Sequence, residues 1–316
     1  MTTVGQADAP AARGDRRVRI GTRRSRLALA QAEQVAAVLE AHGVPTELVP
    51  LVTAGDRILD RALDAVGSKG LFTTELEAAL QEGRIDLAVH SLKDLPTTLA
   101  PGLTVGAVTA REDPRDVVLA RDGRPLEALA AAARVGTSSV RRTALVAALW
   151  PERTVVPVRG NLETRWRKLE RGEVDALVLA AAGVHRLGWR DRVAEYLDPD
   201  RFVPAPGQGA LAVEVRRDDP RAAAWAALVH DPVAAAATEA ERALLDVLGG
   251  NCQAPVGIYA RRLSPPAGQE SWVITMWLGE RDGRTRYYRR WAGPDLGAGV
   301  ETLREELAAQ GFGVES

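Results

Sequence analysis

Short apolar runs alternate with stretches of helical periodicity over the first two thirds of the chain, which predicts strands alternating with helices. Val18 to Gly21 reads as a strand leading through Thr22, Arg23 and Arg24 to Ser25. Ser25 is placed to cap an Ala/Leu-rich helix ending near His42-Gly43. A second strand spans Glu47 to Thr53, and Ala54 to Gly70, rich in glycine and charge without clear periodicity, reads as a mobile loop. Thr74 and Glu77 have the spacing of a capped helix start that closes at Glu82-Gly83. Ile85 to Val89 is a buried-type strand that delivers His90, Ser91, Leu92, Lys93, Asp94, Leu95 and Pro96 at its carboxyl end, the end that faces ligand in α/β folds.

The pattern then recurs. VGTSSVRRTALVAAL from Val135 echoes IGTRRSRLALAQAE from Ile20, and RGEVDALVLAAAG from Arg171 echoes EGRIDLAVHSLKD from Glu82. The repeat predicts two α/β lobes of like plan with a cleft between them. Arg111 to Asp116 (REDPRD) and Pro204 to Gly209 (PAPGQG) are the expected crossings, and Ala210 to Val215 is the strand after the second. Beyond Asp231-Pro232 the pattern changes to strands at Val256 to Ala260, Ser271 to Leu278 and Arg284 to Trp291. Turns are expected at Pro265-Pro266 and Asp282-Gly283, then a helix from Asp295 to Gln310. The expected division is a disordered tail over 1–16, a first lobe from 17–110 plus 211–230, a second from 111–210, and an α+β third domain over 231–316.

Cys252, the one cysteine in 316 residues, lies just past a predicted helix. Thr238 and Glu241 have capping-box spacing, Leu244, Leu245 and Leu248 form one apolar face, and Gly249-Gly250 is a natural stop. With Asn251 before it and Pro255 after, the thiol is expected on a shaped loop. A lone cysteine is ordinarily a small buried hydrophobe; a thiol on a loop at a domain entrance is also how a group is presented to a cleft. The local pattern leaves both readings open.

Composition narrows the classes. A content of 46% hydrophobic and 26% charged residues is that of a globular protein. One cysteine forms no internal disulfide, so a reducing, cytoplasmic setting is expected. The opening MTTVGQADAPAARGDRR has no apolar core of a secretion signal, and Ala176 to Val184, the longest apolar run, falls well short of a membrane span. Basic and acidic residues number 41 and 42, so no global field draws nucleic acid. Lysine occurs only at 69, 93 and 168, in a chain that otherwise uses arginine as its cation. Histidine and cysteine show no metal-ligand spacing, and no glycine-rich nucleotide loop is present.

Candidate chemistry gathers at strand ends. Arg23 and Ser25, then Thr137, Ser138, Ser139, Arg141 and Arg142, place cations and hydroxyls at helix starts, where unpaired N–H groups attract carboxylate or phosphate. Arg159 and Arg165 flank a third such junction, and Arg186 and Arg192 follow the strand at Ala176. Taken singly, each arginine also reads as solvated surface. Asp94 beside Lys93 is the candidate acid/base or cation stabiliser, since a carboxylate among arginines stays ionised. His90 is a weaker candidate, because a strand-end histidine often only bonds locally.

These segments together resemble the porphobilinogen deaminase family. The resemblance runs from Arg19 into the third domain through TRRSRLALAQA, TAGDRILD, GSKGLFTTELE, AVHSLKDLP, REDPRD, VGTSSVRR, RGNLETR, LAAAGVHRLG, PAPGQGA and ERALLDVLGGNCQAPVGIY, in the family's order. It implies two lobes of periplasmic-binding-protein type II architecture with a C-terminal α+β domain carrying the cysteine. It further implies a transferase that joins four porphobilinogen molecules on a dipyrromethane cofactor, bound covalently through Cys252, and releases hydroxymethylbilane by hydrolysis. Ammonia loss from each substrate gives an electrophilic azafulvene, attacked by the terminal pyrrole. By motif position Asp94 is the catalytic aspartate. Lys69, Lys93, Asp94, Thr137, Ser138, Arg141, Arg142 and Arg165 are expected at the cofactor, and Arg23, Ser25, Arg159, Arg186 and Arg192 at substrate carboxylates. A monomer is also expected from the resemblance.

Three positions depart from the family pattern. Arg26 stands where proline is common, Ala65 where many members have lysine, and Asn251 where a small residue is usual. Two other classes compete: a two-lobed solute-binding protein with an arginine-lined cleft, and a nucleic-acid binder using the arginine clusters. The first has no secretion signal to support it. The second would bind generic DNA or RNA with strong salt dependence, which near-neutral charge and 4% aromatic residues do not favour.

Overall fold

The computed structural model describes residues 17–53, 73–249, 254–263 and 271–312. The expected tail, the whole 54–70 loop with Ala65 and Lys69, the Gly250–Asn251–Cys252 segment and the Pro265-Pro266 turn lie outside the described residues.

The chain forms β1 (Val18–Arg23), α1 (Arg26–Ala41), β2 (Thr46–Leu51), α2 (Thr74–Gln81), β3 (Leu87–Ser91) and β4 (Leu103–Val108). It then forms β5 (Asp116–Ala120), β6 (Arg134–Gly136), α3 (Val140–Leu149), β7 (Thr154–Val156), α4 (Leu162–Glu170), β8 (Ala176–Ala180), α5 (Ala181–Arg186) and β9 (Glu195–Tyr196). β10 (Leu211–Arg216), α6 (Pro220–Ala227), α7 (Pro232–Val247), β11 (Val256–Leu263), β12 (Ser271–Gly279), β13 (Thr285–Gly293) and α8 (Leu296–Ala309) follow.

Two five-stranded sheets share one plan. The first runs β2-β1-β3-β10-β4 and the second β7-β6-β8-β5-β9. In each, the first three strands in the order are parallel and the fourth is antiparallel to its neighbours. β5 and β10 are the antiparallel members, and each is entered by a chain that has just crossed from the other lobe. The repeat reaches atomic detail. The Arg19 amide donates to Asp86 Oδ2 at 2.9 Å and its Nη2 to the Gly83 carbonyl at 2.7 Å. The Arg134 amide donates to Asp175 Oδ2 at 2.9 Å and its Nη2 to the Gly172 carbonyl at 2.7 Å. Gly83 and Gly172 both adopt positive φ, the turn conformation that favours glycine. The two echoing stretches of sequence therefore build the same clasp.

The third sheet, β11-β12-β13, is antiparallel. Ile258, Ile274 and Met276 pack on Ala237, Leu244, Val300 and Leu303 from α7 and α8. α7 begins six residues before the expected Thr238. Asp231 Oδ1 accepts from the Ala234 amide at 2.8 Å, and Pro232 occupies the first turn, a stronger start than the capping box. Thr238 is mid-helix and buried, its hydroxyl donating to the Ala234 carbonyl at 2.8 Å. α2 likewise starts after Thr73 rather than on a Thr74 cap. Other boundaries differ from expectation by one to three residues at frayed ends.

Third domain and lobes share packing. Tyr259 and Trp277 enter the second lobe's core with Phe202 and Val203, and Ala234 of α7 packs with Leu92 and Leu95 of the first. Leu27 of α1 packs into the second lobe's other core cluster. Among the described residues no helix is long and apolar enough to cross a membrane.

Candidate active site

Asp94 sits where β3 runs out. A 3₁₀ turn spans Leu92–Asp94, closed by the Leu95 amide donating to the Leu92 carbonyl at 3.1 Å. Residues three apart in such a turn lie one above the other, so Leu92 and Leu95 are buried together and Asp94 is left exposed. The turn is backed by the second crossing. A Cβ added to Gly207 would lie 3.0 Å from Leu92 Cγ and 3.2 Å from the Lys93 nitrogen.

The second lobe contributes Arg141 and Arg142 from the first turn of α3, where the Ser139 hydroxyl caps the Arg142 amide. Both guanidinium groups are buried because Asp116, wholly buried at the head of β5, lies beneath them. Arg141 Nη1 is 2.8 Å from Asp116 Oδ2, and Arg142 Nη2 is 2.8 Å from Asp116 Oδ1. Burial pushes the Asp116 carboxyl up, but the two guanidinium charges outweigh it and hold it below the usual range. Arg141 also donates to the Val203 carbonyl at 2.7 Å, while its Nε is buried with no hydrogen-bond partner among the described residues. The Ser138 hydroxyl donates to the Val158 carbonyl at 2.7 Å, and the Thr137 hydroxyl accepts from the Ser139 amide at 3.3 Å.

Arg165 lies one turn into α4, capped by Asn161, with its Nε donating to the Gly160 carbonyl at 2.9 Å. Burial, then the charge of Arg142, push its pKa down to about 10, while Asp94 pulls it back. Lys93 is pushed down to about 8, by burial first and then by Arg142, with Asp94 and Asp116 opposing. Lys93 and Asp94 of the first lobe thus share one electrostatic site with Arg141, Arg142 and Arg165 of the second. Four cations there face two carboxylates, Asp94 and Asp116. The cluster carries an excess of positive charge, and its Lys93 ammonium, with three donors, has one acceptor among the described residues, Gln208 Oε1 at 3.3 Å. Such a cluster can hold an anion that carries more than one carboxylate.

Arg23 ends β1, half-buried, and the Ser25 hydroxyl caps α1 by accepting from the Ala28 amide at 3.3 Å. Arg26 is the exposed first residue of α1, a position whose amide needs no helical partner, so arginine serves there as well as proline. Arg159 is half-buried ahead of α4. Arg186 spans the lobes, donating to Gln34 Oε1 at 3.0 Å and to the Gly209 carbonyl at 2.8 Å. Burial pushes its pKa down to about 10. Arg192 lies against Trp166 and Trp189, 4.5 and 4.6 Å from their ring centroids. Lys69 and Cys252 lie outside the described residues. His90 turns to the interior of the first lobe, where its Nε2 meets buried Glu214 at 3.0 Å. Among the described residues no group of three His, Cys, Asp or Glu is disposed to hold a metal.

Residue patterns did not single out Asp116 or Gln208, and they gave Glu241 only as a capping-box partner of Thr238. Each lies in or beside a motif, REDPRD, PAPGQG or ERALL, whose charged and amide residues were readable only as crossing or helix. A buried acid in a crossing segment has no periodicity to reveal it.

Two family models match the chain: the dipyrromethane cofactor binding domain of porphobilinogen deaminase over residues 18–224, and that enzyme's C-terminal domain over 235–290. Among curated relatives, a porphobilinogen deaminase of Syntrophobacter fumaroxidans is 51% identical over 248 residues, 78% of this chain and 80% of that protein. One of Roseiflexus sp. is 47% identical over 296 residues, 92% of this chain and 96% of that protein. Among solved structures, a periplasmic substrate-binding protein of an ABC transporter from Coxiella burnetii is similar at a TM-score of 0.43 and 16% identity, over 69% of this chain and 95% of that one; this likeness carries no part of the assignment. On the two model matches and the length and identity of these alignments, the chain belongs to the porphobilinogen deaminase family.

Proposed function

We infer that this chain is a porphobilinogen deaminase, a transferase of tetrapyrrole biosynthesis that joins four porphobilinogen molecules head to tail and releases hydroxymethylbilane. The observation that carries the reading is the meeting of Lys93 and Asp94 of the first lobe with Arg141, Arg142 and Arg165 of the second, where Arg141 and Arg142 are paired with Asp116 and where Asp94 acts on Lys93 and Arg165. Pyrroles bearing acetate and propionate present several carboxylates at once, and the excess positive charge and the unpartnered Arg141 Nε fit them. Bound through Cys252, the dipyrromethane supplies the nucleophilic pyrrole carbon on which the chain grows.

The residues divide the work. Lys93, Thr137, Ser138, Arg141, Arg142 and Arg165 hold cofactor carboxylates from the described part of the site, and Lys69 joins them from outside it. Arg23, Ser25, Arg159, Arg186 and Arg192 serve incoming substrate. Asp94 is the catalytic residue. Its carboxylate, exposed at the turn beside Lys93 and within the field of Arg165, accepts pyrrole N–H bonds and stabilises the positive charge that develops as ammonia leaves.

The three sheets support division into a first lobe over 17–110 plus 211–230, a second over 111–210 and a third domain over 231–316. Near-neutral charge supports a site for small polyacids rather than nucleic acid, and the single cysteine supports a cytoplasmic setting. We place the enzyme there as a monomer without membrane contact. Intact mass of the wild type beside Cys252→Ala tests the reading. The expected result is a wild-type excess of two linked pyrrole units, absent from the variant. A wild type that stays unmodified after porphobilinogen is added would overturn it.

A further inference from the structure

Gln208, in the PAPGQG crossing, is fully buried at the point where both lobes meet. Its Oε1 accepts from Lys93 Nζ at 3.3 Å and from Arg142 Nη2 at 3.4 Å. Its Nε2 donates to the Pro114 carbonyl at 2.7 Å, to Asp116 Oδ1 at 3.2 Å and to the Arg115 carbonyl at 3.4 Å. The partners fix the orientation of the amide. Rotated by half a turn, it would present N–H groups to two cations and its oxygen to three acceptors.

Lys93 belongs to the first lobe, Arg142 to the second, and Pro114 and Arg115 to the opposite crossing. One side chain therefore touches both lobes and both connections. The two cations it joins repel each other, and Arg142 is one cause of the low Lys93 pKa. A carboxylate at this position would hold them more strongly but would cancel one of the charges. An amide oxygen accepts from both and cancels neither.

We propose that Gln208 is a positioning residue for primer binding: its buried neutral amide holds the Lys93 ammonium and the Arg142 guanidinium side by side across the hinge with both charges available to carboxylates. The proposal rests on the deaminase reading for the identity of the carboxylates, and on the geometry alone for the pairing. A residue that merely packs the hinge would affect stability without changing how Lys93 titrates.

The test uses the full chain as wild type, Gln208→Glu and Gln208→Asn. Reductive methylation is followed against pH in the unmodified protein by peptide mass; only three lysines compete, so Lys93 is read directly. The same proteins are then titrated with porphobilinogen and the mass adduct measured. Gln208→Glu is expected to raise the midpoint for Lys93 by about one unit, so that labelling near pH 8 slows about fivefold. Gln208→Asn, whose amide falls one methylene short, is expected to move the midpoint down. Both are expected to need severalfold more porphobilinogen for the adduct. If Glu fails to fold, the downward shift in Asn still decides. Variants that label Lys93 as the wild type does, or that take up the primer at the wild-type concentration, would overturn the proposal. A wild type that acquires no adduct overturns the deaminase reading instead, and the Lys93 titration then judges the pairing by itself.

Discussion

Arg111 closes on Glu241 through two hydrogen bonds of 2.7 and 3.1 Å, in a pair whose carboxylate is wholly buried. Arg111 lies in the crossing from first lobe to second, and its Nε also donates to the Gln208 carbonyl of the return crossing at 2.9 Å. Glu241 comes from α7 and accepts from the amides of Gly207 at 2.6 Å and Ala260 at 2.8 Å. One ion pair thus ties both crossings to the third domain. Gly209 completes the joint at φ 98°, where a Cβ would lie 2.3 Å from the Glu112 carbonyl oxygen, so only glycine fits.

Breaking this pair strands a buried carboxylate. Arg111→Ala is expected to cost about 3–5 kcal/mol of stability, read as a lower urea midpoint. Arg111→Met combined with Glu241→Gln is expected to recover part of that loss, because no charge is then left unpaired. Equal midpoints for Arg111→Ala and wild type would contradict the role assigned to the pair.

Asp94 is exposed at the turn after β3, so the catalytic role proposed for it can be tested apart from the fold. Asp94→Ala is expected to lower turnover about 10²–10³-fold, the scale seen when a transition-state stabilising group is removed. The melting temperature and the mass adduct are expected to persist. Turnover at the wild-type rate would remove Asp94 from the mechanism.

Lys93 sets a pH limit. Titrating at about 8 in the fold against 10.5 when solvated, it binds fewer protons folded than unfolded between those values. The unliganded chain therefore gains stability as pH rises through that window. Affinity for carboxylates runs the other way, full below about 8 and lost as pH rises through it. Primer uptake across a pH series should fall above 8, and Lys93→Arg should extend it upward, because guanidinium keeps its charge. An uptake curve flat through 8 would show that Lys93 is not engaged.

Asp231 starts the helix that runs toward Cys252. Asp231→Ala removes the acceptor of the Ala234 amide and is expected to cost about 0.5–2 kcal/mol. Thr238→Ser keeps the hydroxyl that bonds back to Ala234 and is expected to cost less, mainly through its lost methyl. The reverse ranking in thermal melts would restore Thr238 as the cap.

Much of the plan was legible in the chain. Two echoes of strand, Gly-Thr and Ala/Leu helix foretold the two like lobes, because a repeated periodicity dictates a repeated element. The clasp of Arg19 with Asp86 and Arg134 with Asp175 shows the same rule acting on side chains. Asp94 and the arginines at strand ends were visible for a similar reason: strand ends and helix starts are local features, and their chemistry is written in adjacent residues.

What the chain alone did not disclose is what lies between distant segments. Thr238 looked like a cap because capping boxes are local, but Asp231 and Pro232 offered a better start and Glu241 was claimed by an arginine 130 residues away. Asp116, Gln208 and Glu241 carry no periodic signal; burial gives each its role, and burial is decided only when two lobes and a third domain close on the same point. A lone carboxylate or amide costs too much to bury without partners, and those partners, Arg141, Lys93 and Arg111, are supplied by tertiary contact. The sequence determined the elements and the residue types at their ends; the folded structure decided which charges meet, because long-range pairing depends on distance in space rather than spacing along the chain.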